Sequence, residues 1–240
     1  MKKLLTLFVS LCFITTFAAK PKNQYVKITT SKGEVIIKLY NETPLHRDNF
    51  LKLAKEGFFD GTLFHRVIKA FMIQGGDPDS KNAVAGAALG EGGPKYTIPA
   101  EFVDSLFHKK GVLAAAREGD NSNPTKASSG SQFYIVQGKV WNDSTLAVVE
   151  KNRMKFIIPE WQRQVYKTIG GTPHLDRNYT VFGEVVKGLE MVDNIAAEPT
   201  AKGDRPITDV KMTITVLKKR EAKKLEKELK KAAIKVQDKS

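Results

Sequence analysis

The chain offers few side chains spaced for covalent or metal chemistry. His46, His65, His108 and His174 are scattered, with no HxxxH or HExxH pattern to hold a metal. Gly90-Glu91-Gly92-Gly93-Pro94 is glycine-rich but lacks the Gly-Lys-Ser/Thr of a phosphate loop and reads as a structural turn. Ser131, in Ser129-Gly130-Ser131-Gln132-Phe133, does not sit in a GxSxG elbow. The one cysteine, Cys12, excludes a disulfide framework and a thiolate zinc site. What stands out is the run Phe64-His65-Arg66-Val67-Ile68-Lys69-Ala70-Phe71-Met72-Ile73-Gln74-Gly75-Gly76-Asp77. On paired strands Arg66 and Gln74 share a face with Phe71 and Met72 as apolar neighbours. The plain alternative is a core strand pair carrying one surface arginine.

The elements that must position these residues are mostly short strands. Residues 25–30 alternate apolar and polar, and Lys32-Gly33 marks a hairpin turn before residues 34–40. Further strands are expected at 64–68, 71–74, 111–116, 132–136, 180–186 and 210–217. Thr43 followed by Pro44 reads as a helix cap and first turn, with Phe50, Leu51, Leu53 and Ala54 forming a buried face. A second short helix is expected over 189–196. Strands joined by glycine-rich turns, with only two helices in the body, predict a mainly β fold, a closed antiparallel barrel. The rhythm breaks at 138–172, which turns helical with Asn142, Asp143 and Ser144 as cap candidates. Pro159 restarts a segment in which Trp161, Val165 and Ile169 share one face, and Gly170-Gly171 ends it. This reads as a helical hairpin inserted in a barrel loop, with Trp161 expected to pack.

Length, 240 residues, suits one domain with appendages, and 41% hydrophobic with 27% charged residues excludes wholesale disorder. The balance is basic, 39 Lys+Arg against 26 Asp+Glu. Residues 1–19 read as a signal peptide: Lys2 and Lys3, an apolar stretch from Leu4 to Phe17, and small residues at Thr16 and Ala18. An uncleaved anchor is the alternative, but roughly 14 apolar-biased residues fall short of the ~20 a span needs. The mature chain is therefore expected to be exported, periplasmic or otherwise extracytoplasmic. Residues 218–240 carry ten Lys/Arg and four Asp/Glu, with Leu225, Leu229, Ala232, Ala233 and Val236 at helical spacing. This basic tail is either a solvated, partly frayed helix or an arm for anionic partners. Nucleic acid is not indicated, because no aromatic residues interleave the basic run.

The run at 64–77 resembles the signature of the cyclophilin family of peptidyl-prolyl cis-trans isomerases. Other segments agree in order: Thr43-Pro44 with Asn49-Phe50, the loop from Gly90 to Glu101-Phe102, the strand from His108 to Ala116, Ser129 to Ile135, and His174-Leu175-Asp176 with Tyr179 to Gly183. The likeness covers about 24–217, broken by the insertion. It implies an eight-stranded antiparallel β-barrel capped by two helices. By position, Arg66 corresponds to the catalytic arginine and Gln74 to a catalytic neighbour. Phe71, Met72, Ala116, Gln132, Tyr134, His174, Leu175 and Tyr179 correspond to substrate-binding positions. Three of these depart from the pattern: Tyr134 replaces a pocket phenylalanine, His174 the tryptophan of many eukaryotic members, and Tyr179 a histidine. The Tyr134 hydroxyl therefore needs water or a partner.

The resemblance implies rotation about X-Pro bonds, assisting the folding of exported proteins, with proline-containing polypeptides as substrates and weak cyclosporin binding expected. No metal, nucleotide or organic cofactor is implied. A different class stays open from the residues: a non-catalytic module or holdase that grips proline-containing segments.

Overall fold

The computed structural model describes residues 22–237. The signal-peptide reading of residues 1–19, Cys12 included, lies outside them. The chain folds as β1 (Gln24–Thr30), β2 (Gly33–Leu39), α1 (Pro44–Lys55), β3 (Phe64–Ile68), β4 (Met72–Gly75), β5 (Thr97–Ile98), β6 (Val112–Ala115), β7 (Ser128–Ser129) and β8 (Phe133–Val136). There follow α2 (Asp143–Arg153), α3 (Glu160–Thr168), β9 (Val181–Lys187), α4 (Glu190–Ala196), β10 (Met212–Val216) and α5 (Lys219–Gln237). No helix among the described residues is long and apolar enough to cross a membrane.

Eight strands form one antiparallel sheet in the order β10-β1-β2-β9-β6-β8-β4-β3, and β5 pairs with β7 beside it. The eight-stranded antiparallel sheet agrees with the sequence reading; its closure does not. The sheet curls into a half-barrel, and where β3 should complete the ring with β10 there is only an isolated bridge between Leu63 and Lys211. Backbone hydrogen bonds from Gly61 to Met212, Met212 to Thr62 and Phe64 to Val210 carry the rest of that contact. The cause is local: the segment ahead of β3 is a string of turns after α1, so the two edges meet through loop backbone instead of a ladder.

The curled inner face and the two capping helices enclose the main core. Val26, Ile28, Ile37, Leu113, Phe133, Ile135 and Ile214 alternate inward along their strands. Phe50 and Leu53 of α1 and Met191, Val192 and Ile195 of α4 cover them. Fully burying one such side chain contributes about 1.5–3 kcal/mol, against about 0–1 for a surface ion pair, so this core dominates stability. The central strands are covered on the other face too: Met72, Val112, Ala114, Tyr134 and Val136 form a second cluster with Phe71 and Leu175. That is why β6 and β8 are apolar without alternation.

Thr43 does not cap α1 with its side chain. Instead the Glu101 carboxylate accepts from the backbone N–H groups of Leu45 and His46, each at 3.0 Å, a partner that local sequence does not announce. The inserted hairpin is present as α2 and α3. Asn142 is its cap, exchanging hydrogen bonds with Thr145 in a capping box. The buried residues of α3 are Gln162 and Tyr166, while of the face shared by Trp161, Val165 and Ile169 only Val165 is half-buried against the hairpin core. Trp161 is 53% exposed and touches Phe107 edge-on, while Ile169 is also exposed. Tyr166 packs instead with Phe107, Leu146 and Ile158. At the stem Gly138 and Gly171 meet backbone to backbone, and a Cβ on Gly171 would collide with the His108 carbonyl oxygen. The basic tail is helical and docks through Leu225, which is buried, while Asn23 donates to Glu226 at 3.1 Å.

Candidate functional site

Register builds the site. Arg66 on β3 lies opposite Gln74 on β4, Gln74 opposite Tyr134 on β8, and Tyr134 opposite Ala114 on β6. With a side-chain period of two, this row projects to the outer face of the sheet, together with Met72 two residues before Gln74. Phe71 sits in the turn just before β4, its N–H donating to the Ile68 carbonyl and its own carbonyl accepting from Gln137 and Gly138. Leu175 and His174 arrive from the short 3-10 turn Pro173–Leu175 at the exit of the hairpin.

These elements surround an open cavity of about 780 Å³. Arg66, Phe71, Met72, Gln74, Ala116, Tyr134, Leu175 and Tyr179 all line it. The two other residues expected here do not. Gln132 is buried behind the wall, its amide donating to the carbonyls of Gly90 (2.7 Å) and Gly92 (2.8 Å) while its oxygen accepts from Gln74 at 3.2 Å. His174 stacks on Phe71 with ring centroids 5.6 Å apart, backing that ring from outside the cavity.

The polar side of the cavity is a chain of hydrogen bonds. Arg66 Nη1 donates to Gln74 Oε1 at 3.4 Å, and Gln74 in turn is held by Gln132. Arg66 Nε also lies 3.4 Å from Asp204 Oδ2, with both side chains more than 40% exposed. Two long contacts leave most of the five guanidinium donors free, and an exposed pair of this kind holds the arginine only weakly. The apolar side is Phe71, Met72, Tyr134 and Leu175. Charged donor and dry wall thus face one space. Such a site can hold an apolar ring and stabilise charge beside it, and no nucleophile is poised there.

Several lining residues were not foreseen: His65, Arg117, residues 86–91, and residues 201–203 with Arg205. Arg117 stacks its guanidinium 4.6 Å from the centre of the Tyr179 ring. The residues after Ala201 turn through positive φ at Gly203 and Asp204, which brings Asp204 onto Arg66. Only the sheet curl brings these loops to the cavity, and nothing in their local sequence says so.

Burial sets the protonation states. His65 is pushed down to about 4, chiefly by burial, with Arg66 and Arg205 acting in the same direction against Asp77. His174 also falls to about 4, through burial first and then the nearby Arg153. Both rings are neutral at pH 7. Burial, reinforced by Tyr179 and Asp176, raises the Tyr134 phenol well above its ordinary value, so it stays protonated.

Residues 25–216 match the family described as cyclophilin type peptidyl-prolyl cis-trans isomerase/CLD. A Streptococcus pyogenes protein named for phosphatase and peptidyl-prolyl cis-trans isomerase activities is 38% identical over 188 residues, covering 77% of this chain and 37% of that longer protein. A Staphylococcus haemolyticus protein named for the isomerase activity alone is 36% identical over 189 residues, covering 77% of this chain and 86% of its own length. Among solved structures, a Cryptosporidium parvum cyclophilin type isomerase superposes with a TM-score of 0.59 at 24% identity, covering 82% of this chain and 99% of the other. The same protein crystallised in the presence of the dipeptide Ala-Pro gives 0.57.

The two neutral histidines make stability depend on pH. The unfolded chain takes up protons near pH 6.5, whereas the folded one does so only near 4, so stability is complete above 6.5 and falls as pH drops through that window. For His65 the loss by pH 4 is on the order of 3 kcal/mol. Melting temperature measured from pH 7 to 4.5 should therefore fall more steeply in the wild type than in a His65→Gln/His174→Phe double variant. Parallel curves would assign the acid sensitivity to other groups.

Proposed function

Because the chain belongs to the cyclophilin-type peptidyl-prolyl cis-trans isomerase family, we propose that the outer-face cavity is where X-Pro bonds turn over and that Arg66 carries the catalysis. The chain is a peptidyl-prolyl cis-trans isomerase. An X-Pro bond resists rotation because amide resonance must be lost as it twists, with uncatalysed exchange taking tens to hundreds of seconds. No covalent step is needed. Phe71, Met72, Tyr134 and Leu175 hold the proline ring while the preceding carbonyl swings. Arg66 donates to the twisted amide, favouring a pyramidal nitrogen, and so stabilises the transition state over either planar ground state. Gln74 orients Arg66 and meets the substrate backbone; Gln132 backs Gln74 by holding its amide. The observation that supports this most is the half-exposed guanidinium of Arg66, weakly held, at the edge of an apolar cavity.

We further propose that the substrates are proline-containing segments of exported proteins, met outside the cytoplasm. This rests on the signal-like pattern of residues 1–19. The basic outer side of α5 we read as a hold for anionic partners, an attraction that salt screens beyond about 10 Å at 0.1 M. Cyclosporin, the inhibitor associated with the family, should bind weakly. At the rim, where His174 backs the Phe71 ring from outside the cavity, it offers less flat apolar area than the tryptophan of many eukaryotic members and a differently placed donor.

Three measurements test these readings. Arg66→Ala should keep the circular dichroism of the wild type and lose turnover on an X-Pro peptide on the order of a hundredfold or more; near-normal turnover in the folded variant would sink the mechanism. The protein isolated from its native cells should have the mass of a chain that begins after Ala18 or Ala19, and a full-length cytoplasmic chain would refute export. Cyclosporin titration should show weak inhibition of the wild type, strengthened in His174→Trp with turnover within a few-fold. Equal, tight inhibition of both proteins would show that this position does not control the drug.

A further inference from the structure

Tyr134 brings into the pocket wall a hydroxyl that rotation about an X-Pro bond does not use, and the fold provides for it. Its oxygen lies 2.9 Å from His108 Nε2. His108 Nδ1 lies 2.9 Å from Asp176 Oδ1, which also accepts from the His108 backbone N–H at 2.8 Å. The other carboxylate oxygen of Asp176 accepts from the Tyr166 hydroxyl at 2.6 Å. All four residues are at most 4% exposed. Tyr166 belongs to α3, so the chain of contacts starts in the inserted hairpin and ends in the ring that faces the cavity.

The order of protons follows from the donors and acceptors available. A buried carboxylate requires donors, so Asp176 accepts hydrogen bonds from His108 Nδ1–H and from the Tyr166 hydroxyl. With Nδ1 donating to Asp176, Nε2 is the acceptor left on the ring, and the Tyr134 hydroxyl donates to it. Acid, imidazole and hydroxyl stand in the sequence familiar from nucleophile activation, but this hydroxyl points at a histidine that is 0% exposed and does not line the cavity. The relay ends in the orientation of a ring, not in an attacking oxygen.

We propose that Tyr166, Asp176 and His108 are positioning residues, through which the hairpin fixes the Tyr134 ring in the wall that receives proline. Asp176 is well placed for this, because it directly follows Leu175, the other side of the same wall. One carboxylate therefore ties both sides of the pocket to the insertion. The effect belongs to binding common to ground and transition states, so it should appear in KM and not in kcat. The proposal rests on the assignment of this cavity to the proline ring.

The test uses the mature full-length chain with Y166F, Y134F and the double variant, each keeping its aromatic ring. Turnover of an X-Pro peptide is resolved into kcat and KM. Y166F and Y134F should each raise KM about threefold to tenfold, the worth of one hydrogen bond, with kcat within twofold. The double variant should be no worse than Y134F alone, because both cuts break the same relay. Independently of activity, 15N NMR of the wild type should show His108 as the neutral Nδ1–H tautomer. An unchanged KM in Y166F, additive effects in the double variant, or an Nε2–H His108 would each overturn the relay while leaving the isomerase assignment standing. Absence of turnover in the wild type would instead remove the pocket assignment, and the proposal with it.

Discussion

The register of β3, β4, β8 and β6 is the constraint on which the rest of the structure depends. Arg66, Gln74, Tyr134 and Ala114 reach one face only because each stands opposite the next across the ladders. A slip of one residue would turn Ile73, Ile135 and Leu113 out of the main core and send the arginine into it. Burying those residues is therefore the same event as assembling the groove. The strands pay no separate cost to aim the site, since apolar residues on the inner face hold the register that the outer face uses.

Carboxylates, Asp176 buried and Glu101 partly so, recur as the joints between sheet and loops. Glu101 gathers two backbone N–H groups of α1 and lies 2.7 Å from His46 Nδ1, whose other nitrogen is 2.9 Å from the Ser128 hydroxyl. Asp176 does the same with His108 and Tyr166. In each case an acid with little solvent around it is supplied with several donors, so removing one weakens the compensation of its charge. Surface ion pairs such as Lys27–Glu34, by contrast, sit in water and add little.

Much of this was legible in the sequence, and the remainder was hidden for identifiable reasons. Strand positions followed from alternation at 25–30 and from the largely apolar stretches at 111–116 and 132–136, each within a residue of the observed strand. Arg66 and Gln74 could be placed on one face from strand periodicity and a hairpin turn. What could not be read were partners far apart in sequence: Glu101 capping α1, the bridge that joins the sheet edges near Leu63, and Asp204 lying on Arg66. Trp161 shows a different limit. Helical spacing correctly grouped it with Val165 and Ile169, but the buried side chains beneath α3 are Tyr166 and Gln162, the latter donating to the Asp104 carbonyl at 2.8 Å. Amphipathicity says that a face exists; which face the fold chooses depends on the polar groups waiting beneath it.

The glycine stem of the hairpin has one more implication. Gly138 and Gly171 press the two ends of the insertion together, and the backbone at Gly171 bridges to both Lys109 and Lys139. The ends are thus pinned whatever lies between them, and lengthening a pinned excursion costs only about 0.6 kcal/mol per doubling. The outer tip of the hairpin can therefore change in length at little cost to the sheet. Residues near the stem cannot, because they reach back to the groove. An insertion built this way separates a tip whose length costs little to change from a stem whose backbone contacts fix it, within a span of thirty-five residues, 138–172.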